Sequence, residues 1–121
     1  MHSPYDECKE YVTKDGSLIR ELMHPALHGN KNQSLAEAIV HPGQSTTLHR
    51  HQQTEEIYFI TQGQGLMTLG EQQFAVQATD TICIPPGSAH CIANTGQIDL
   101  HILCSCSPAY SHDDTELLNH T

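Results

Sequence analysis

From about residue 35 onward, hydrophobic and polar residues alternate with a period of two, which is the period of a β-strand. Short segments with this pattern follow one another, and glycine or proline residues separate them. Residues 16–22 also suit a strand, although a short helix is an alternative there. We predict strands over residues 16–22, 35–41, 55–61, 65–69, 72–76, 81–84, 90–94 and 99–105.

Three of these segments allow more detailed predictions. Residues 35–41 alternate poorly but are short and apolar, as expected of a strand that is covered on both faces. Gly70 and Glu71 fit the two-residue turn of a hairpin, of type II′, which requires glycine in its first position. Pro85 and Pro86 end the strand before them, because proline cannot donate a hydrogen bond to a sheet.

The sequence predicts an all-β fold with little helix. Many short strands with glycine or proline turns are typical of an antiparallel sandwich or a small barrel. Only residues 113–119 carry a helix start signal, Asp followed by Glu within the first turn. We interpret residues 1–121 as a single domain with a barrel core at about 16–107, and we expect residues 1–15 and 112–121 to be the loosest.

The charge balance limits the classes of partner. The chain has 5 basic and 14 acidic residues, for a formal net charge of −9. Such a chain repels phosphate backbones and anionic lipids, so nucleic acid and membrane surfaces are poor candidate partners. The first residues resemble no signal peptide, and no segment is apolar enough to span a membrane. We therefore expect a cytoplasmic protein whose partner is a small molecule.

The five cysteines are an odd number and include no CxxC pair. These features exclude a scaffold held by disulfides alone and favour reduced thiols in a reducing compartment. Four of the cysteines lie in apolar strands, where we predict buried and inert thiols. These four are Cys83, Cys91, Cys104 and Cys106.

The segment HRHQQTEE at residues 49–56 is the main candidate for chemistry, with a solvated polar loop as the alternative. Residues two apart in a strand point to the same face, so His49 and His51 would project together. Glu56 opens the next apolar strand and would point inward with Tyr58, while Glu55 faces the other way. A carboxylate in an apolar interior needs a cation or hydrogen bonds to offset its desolvation. We therefore hypothesise a metal site.

His90 is the fourth candidate ligand. It follows the turn PPGSA and begins a strand, which would aim its side chain inward. Three imidazoles and one carboxylate suit Mn, Fe, Ni, Cu or Zn, whereas Ca and Mg prefer oxygen-rich shells. The ligand types do not choose among these divalent transition metals.

The spacing of these residues resembles the two motifs of the cupins. The first motif runs from a glycine through H-x-H and a glutamate to a second glycine, and GQSTTLHRHQQTEEIYFITQG at residues 43–63 meets each position. The second motif ends in P-x-G, histidine and asparagine, which PPGSAHCIAN at residues 85–94 matches. Thr79 replaces its opening glycine, a departure that removes no ligand. With its flanking strands, the resemblance covers about residues 35–106.

The resemblance to cupins implies a double-stranded β-helix or jelly-roll barrel, a monocupin with the metal inside one end, often assembled as a homodimer. It implies a metal site formed by His49, His51, Glu56 and His90. This ligand set is similar to that of oxalate-metabolising enzymes and flavonol dioxygenases. We expect a metal-dependent dioxygenase, decarboxylase or isomerase that acts on a small carboxylate, enolate or dicarbonyl. The alternative is a non-catalytic module that binds or senses a small ligand.

Other residues carry weaker hypotheses. We predict Tyr58 in the core or pocket wall, with catalysis as a lesser alternative. His101 lies within a strand and could face the pocket as a hydrogen-bond donor or an acid/base. Arg50 is predicted at the surface. The remaining candidates are predicted to be surface or hydrogen-bonded histidines, namely His24, His28, His41, His112 and His120.

Overall fold

The structure, a computed structural model, describes residues 1–118. The strands within this range are β1 (Glu10–Val12), β2 (Leu18–Met23), β3 (Ser34–Val40), β4 (His49–His51), β5 (Glu55–Gln62), β6 (Gln64–Leu69), β7 (Gln72–Gln77), β8 (Thr81–Ile84), β9 (His90–Asn94), β10 (Leu100–Ser107) and β11 (Thr115–Leu117). One short α-helix, α1, spans Pro25–His28, and 3-10 helices span Tyr5–Glu7 and His112–Asp114. The prediction of an all-β fold with little helix is confirmed.

The strands form two antiparallel sheets, as in a double-stranded β-helix. The larger sheet has the order β1-β2-β3-β10-β5-β8, and the smaller has the order β11-β4-β9-β6-β7. Side chains from both sheets meet in one hydrophobic core, which includes Ile60, Met67, Val76, Ile82, Ile92, Leu100 and Ile102. Within residues 1–118, no helix has the length and apolar character needed to cross a membrane.

Strand β3 corrects one prediction, because it is covered on one face rather than both. Its buried and more exposed residues alternate, with Ala36 and Ala38 inside and Leu35 38% exposed. The outer face of an antiparallel sheet can remain open to water, and apolar residues there do not imply a second covering layer.

The hairpin between β6 and β7 has the predicted two-residue turn. Leu69 pairs with Gln72, and Gly70 between them has a φ of 60°. A positive φ in the first turn position is what a type II′ turn requires and what glycine adopts without strain.

The C-terminal segment corrects a second prediction. The sequence predicts a helix start within residues 113–119, but a single 3-10 turn leads into β11, which pairs with β4. The carboxylate of Asp114 accepts hydrogen bonds from the backbone N–H groups of Gln53 and Thr54 at 2.9 and 3.1 Å. Long-range pairing therefore overrides the local helix signal. Strands thus lie in both terminal segments that were expected to be loose, β1 in one and β11 in the other.

Candidate metal centre

Strand β4 brings two histidines to one face, as the H-x-H spacing predicts. His49 and His51 are 2% and 3% exposed, while Arg50 between them faces outward and forms an ion pair with Glu116. Strand β9 lies beside β4 with His49 opposite His90. The imidazole centroids of His49 and His90 are 4.1 Å apart, and that of His51 lies 5.2 and 5.3 Å from them.

Glu56 reaches the same place from the opposite sheet. It is the first inward residue of β5, and Glu55 before it is exposed, as predicted. One carboxylate oxygen of Glu56, Oε1, lies 3.1 Å from Nε2 of His51 and 3.5 Å from Nε2 of His90. The structure thus gathers all four predicted ligand residues within one buried site, with Glu56 beside two of the three histidines.

Hydrogen bonds fix the protonation pattern of the three imidazoles. In each ring Nδ1 faces an oxygen, so Nδ1 donates and leaves Nε2 as the inward acceptor in the neutral form. For His51 the partner is the Thr115 hydroxyl. This hydroxyl already donates its proton to the carbonyl of Ser111 at 2.9 Å, so it accepts from Nδ1. The partners of Nδ1 in His49, His51 and His90 are the Thr47 carbonyl at 2.7 Å, Thr115 Oγ1 at 3.0 Å and the Ser88 carbonyl at 3.0 Å.

The three inward nitrogens fit a metal ion. The histidine ligand atoms lie within 4.8 Å of one another, and Nε2 of His90 is buried without a hydrogen-bond partner among the described residues. In neutral imidazoles these nitrogens are acceptors, as is the carboxylate of Glu56 that faces two of them. Acceptors that face each other in a buried site repel unless a proton or a metal cation lies between them.

The electrostatics of the site favour this donor set. Burial, followed by the charge of His90, lowers the pKa of His49, which keeps its imidazole neutral at pH 7. Burial alone would raise the pKa of Glu56. When a proton rather than a metal lies on Nε2 of His51 or His90, the contact of that ring with the carboxylate and its charge outweigh burial and lower the pKa of Glu56 to about 2. Glu56 is therefore an anion and His49 a neutral base, which are the forms that bind metals.

A cavity of about 40 Å³ adjoins the histidines. This is room for about three water molecules. Strands β3 and β10 line it with small inward side chains, among them Ser34, Ala36 and Cys104. Because these residues are short, the inner face of the large sheet does not fill the space in front of the metal centre.

The sequence analysis missed Asp15, which lies in the turn between β1 and β2. Ser17 donates its backbone N–H and its hydroxyl to Oδ1 of Asp15 at 2.9 and 2.6 Å. The other oxygen, Oδ2, lies 3.5 Å from Nε2 of His49. Aspartate before glycine is common in turns, so the local sequence indicates only a turn here. The turn reaches the site because the backbone N–H of Thr47 donates to the Asp15 carbonyl at 2.8 Å.

The cysteines divide into two groups. Cys104 and Cys106 are buried, as predicted, and burial followed by the charge of Glu56 raises the pKa of each thiol. The thiol of Cys106 donates to Oε2 of Glu56 at 3.4 Å. The prediction for Cys83 is wrong: its thiol is exposed because the neighbours Ile82 and Ile84 occupy the inward positions of β8. Cys91, also predicted buried, is partly exposed.

The two weaker catalytic candidates occupy opposite faces of the large sheet. Tyr58 is 5% exposed and lines the cavity, as predicted, and burial followed by the charge of Glu56 raises the pKa of its hydroxyl. His101 is outside the cavity, so the prediction that it faces the pocket is wrong. Leu100 and Ile102 take the inward positions of β10, and Nδ1 of His101 lies 3.3 Å from Glu37 on the outer face.

The other histidine candidates were predicted to lie at the surface or to form hydrogen bonds. Those within residues 1–118 are not part of the metal centre. His120 lies outside the described residues. The others all have hydrogen-bond partners: His24 contacts the Tyr110 carbonyl and Ala26 N–H, His28 contacts Ser3, His41 contacts Asp99 and His112 contacts the Tyr110 hydroxyl.

Comparison with known proteins agrees with the fold and the motifs. A family model described as "Cupin domain" matches residues 36–106. This chain belongs to the cupin family. The matched segment contains the four candidate ligands and most of both sheets.

Two relatives and one solved structure show the range of similar cupins. An uncharacterised protein of Methanocaldococcus jannaschii is 55% identical over 118 residues, which cover 98% of this chain and 94% of the relative. The oxalate-binding protein of Thermotoga maritima is 35% identical over 86 residues, covering 71% and 67%. The polyketide cyclase RemF of Streptomyces resistomycificus superposes with a TM-score of 0.82 at 18% identity, covering 100% and 87%, which shows the shared fold alone.

The departure from the second cupin motif has a structural cost. Thr79 has a φ of 76° and is the only non-glycine residue with positive φ within residues 1–118. A β-branched residue is strained in this conformation. The backbone of the turn is nevertheless held in place, because Thr79 N–H donates to the Ile60 carbonyl at 2.7 Å and Ile60 N–H donates to the Asp80 carbonyl at 3.0 Å.

Proposed function

We propose that this cupin binds one divalent transition metal through His49, His51, His90 and Glu56. The observation that carries the proposal is that the Nδ1 atom of each imidazole is occupied by an oxygen partner, which turns the three Nε2 atoms inward beside a carboxylate. Three nitrogen donors and one oxygen donor suit Mn, Fe, Ni, Cu or Zn. The metal also removes the repulsion between the inward acceptors.

We further propose that the protein is an enzyme of the dioxygenase, decarboxylase or isomerase type that acts on a small oxygen-bearing molecule. When bound, the metal would supply Lewis acidity that polarises an oxygen of the substrate. Glu56 would reduce the net charge of the centre, and the Cys106 thiol holds its second oxygen by a hydrogen bond. An enolate or a dicarbonyl suits this cavity better than a dicarboxylate, because Asp15 adds a further carboxylate beside His49.

Asp15 contributes to binding rather than to holding the metal. Ser17 fixes one of its oxygens, and the other faces the space in front of His49. Such an oxygen would accept a hydrogen bond from a substrate hydroxyl and orient it. We expect Asp15→Asn to keep its metal and to weaken substrate binding by about ten-fold, because a single charge-assisted hydrogen bond is lost.

Metal content tests the ligand assignment. We expect about one metal ion per chain by elemental analysis of the purified protein, and loss of this metal from the His49→Ala/His51→Ala double variant. His41→Ala is the matched control, because His41 is exposed and contacts Asp99. Full retention of metal by the double variant would contradict the assignment.

Activity measurements distinguish the enzyme from the alternative, a non-catalytic module that binds or senses a small ligand. The name of the Thermotoga maritima relative, an oxalate-binding protein, favours that alternative. The protein would be loaded with Fe or Mn, and oxygen consumption and product formation would be followed with small carboxylates and diketones. Turnover supports the enzyme, whereas tight ligand binding without turnover across the panel supports the module.

A cytoplasmic location and the absence of nucleic acid or membrane partners stay predictions from the composition. The homodimer also stays a prediction, and the outer face of the large sheet supports it. Leu35, Ile57 and Phe59 are 38 to 39% exposed there. Light scattering at several protein concentrations would measure the mass of the assembly directly.

A further inference from the structure

A second polar cluster lies between the cavity and the protein surface. Tyr11, Glu21 and Tyr110 line both the inner cavity and an outer groove of about 400 Å³. Tyr11 lies in β1, Glu21 in β2, and Tyr110 in the segment that follows β10. These three residues therefore lie between the inner cavity and the outer groove.

Glu21 has an acceptor that nothing in residues 1–118 uses. The residue is only 8% exposed, and Oε1 accepts a hydrogen bond from the Tyr11 hydroxyl at 2.9 Å. Its second oxygen, Oε2, is buried and has no hydrogen-bond partner within the same range. A buried carboxylate oxygen without a partner carries a desolvation cost. A donor group on a ligand would remove that cost.

Small residues separate Glu21 from the metal centre. Across the inner face of the large sheet, Glu21 pairs with Ala36, Ala36 with Cys104, and Cys104 with Tyr58, the inward neighbour of Glu56. Adjacent strands are about 4.8 Å apart, so three spacings place the backbones of Glu21 and Tyr58 about 14 Å apart. The Ala36 and Cys104 side chains leave part of this span open.

The charge of the cavity indicates what kind of ligand fits. Its charged lining residues are three acids, Asp15, Glu21 and Glu56, and no Lys or Arg lines it within the described chain. A divalent metal would balance two of these three carboxylates. Burial, followed by the charge of Glu21, raises the pKa of Tyr11, so that hydroxyl remains a donor to Glu21. Oε1 of Glu21 is therefore occupied by Tyr11, and Oε2 is left as a free acceptor.

We propose that Glu21 is a specificity residue that accepts a hydrogen bond from a donor group of the ligand, a hydroxyl, an amide or an ammonium. The other end of the ligand reaches the metal centre, so this inference rests on the proposed metal site. A group that is neutral or cationic is accepted at the Glu21 end. A ligand with a second carboxylate at the Glu21 end is rejected. Glu21 would repel this carboxylate, which also has no proton to donate.

The test compares two probes that are long enough to extend from the metal centre towards Glu21 and that differ in charge at one end, 6-aminohexanoate and adipate. Protein loaded with Co²⁺ is titrated with each probe, and binding is followed by calorimetry and by the visible spectrum of the metal. The measured quantity is the ratio of the two affinities, 6-aminohexanoate to adipate. The intrinsic preference of the metal for each probe cancels when this ratio is compared between variants.

We expect Glu21→Gln to lower the ratio by at least about ten-fold, because the amide no longer repels the second carboxylate of adipate or pairs with the ammonium group of 6-aminohexanoate. Glu55→Gln removes the same unit of charge from an exposed position on the outer face of β5, and the ratio should stay unchanged. An unchanged ratio in a Glu21→Gln protein that binds Co²⁺ normally would overturn the inference while leaving the metal site intact. Failure of the unmutated protein to bind Co²⁺ would overturn both.

Tyr11→Phe provides an independent test should Glu21→Gln fail to fold. It removes the hydroxyl that donates to Oε1 and leaves the charge of Glu21 less compensated. The ratio of 6-aminohexanoate to adipate affinity should therefore rise. A ratio that stays the same or falls would count against a direct contact between Glu21 and the ligand.

Discussion

The two ends of the barrel interior use the same pair of strands but different side chains. At one end Ile60 of β5 pairs with Ile102 of β10, and at the other end Glu56 pairs with Cys106 on the same two strands. Both pairs follow the same alternation of inward and outward residues. The size and polarity of the inward side chains, rather than their period, therefore decide whether a stretch of barrel becomes packed core or functional site.

The packed end contributes more hydrophobic stabilisation than the site end, where polar side chains are buried in place of apolar ones. Ile60, Met67 and Leu100 are each 0% exposed. Burying one such side chain contributes about 1.5 to 3 kcal/mol. At the site end, the buried residues include His49 and Glu56, whose desolvation must be offset by hydrogen bonds or by a cation.

Truncation at the packed end should give the largest change in stability. We expect Leu100→Ala to lower the free energy of unfolding by about 3 to 4 kcal/mol, because a fully buried side chain leaves a cavity. Cys104→Ala at the site end should cost about 1 kcal/mol, since the thiol is small and borders a cavity already. Urea unfolding of the metal-free proteins measures both, and equal losses would contradict the difference between the two ends.

The pH dependence of metal-free protein should also arise at the site end. The folded pKa of His49 lies below its usual value, so the unfolded chain binds a proton first and stability falls as pH drops below about 6.5. Glu56 has a folded pKa of about 2 against 4.5, so its contribution is present above pH 4.5 and is lost as pH falls towards 2. Chemical unfolding of the metal-free protein at a series of pH values from 7 to 3 should show that the free energy of unfolding falls by about 1 to 3 kcal/mol.

Glu56→Gln separates these two contributions. In this variant the part of the pH dependence below pH 4.5 should become flatter, while the part caused by His49 remains. Leu100→Ala serves as the control at the packed end. As the pH is lowered, the stability of this variant should fall in parallel with that of the unmutated protein. A steep loss below pH 4.5 in the Glu56→Gln variant would show that other carboxyl groups are responsible.

The smallest predicted effect concerns the turn next to Ile60. Thr79→Gly should raise the free energy of unfolding by about 0.5 to 1 kcal/mol, because glycine adopts the positive φ without strain. Thr81→Gly is the matched control in the exposed part of β8, and it should lower stability by a similar amount. Thermal melts resolve differences of this size, and a loss of stability in Thr79→Gly would show that the threonine side chain stabilises the turn.

Much of the fold was predictable because it depends on local pattern. Alternation marked β5, β8, β9 and β10 within one or two residues, and Gly70 marked the hairpin turn between β6 and β7. The pattern failed for β11, whose short length gives little periodicity and whose acidic start suggests a helix. It also failed for His101, because alternation defines two faces of a strand and does not say which face is inside.

The amino-acid sequence alone determined the types of donor atom and their local spacing. His49 and His51 share a face because a strand has a period of two, and His90 follows a turn whose prolines limit the backbone. Tertiary structure decided everything that depends on pairing between distant segments. It turned three Nε2 atoms toward one point and brought Asp15 and Glu21 to the cavity, because the register of paired strands, rather than distance along the chain, determines which side chains meet.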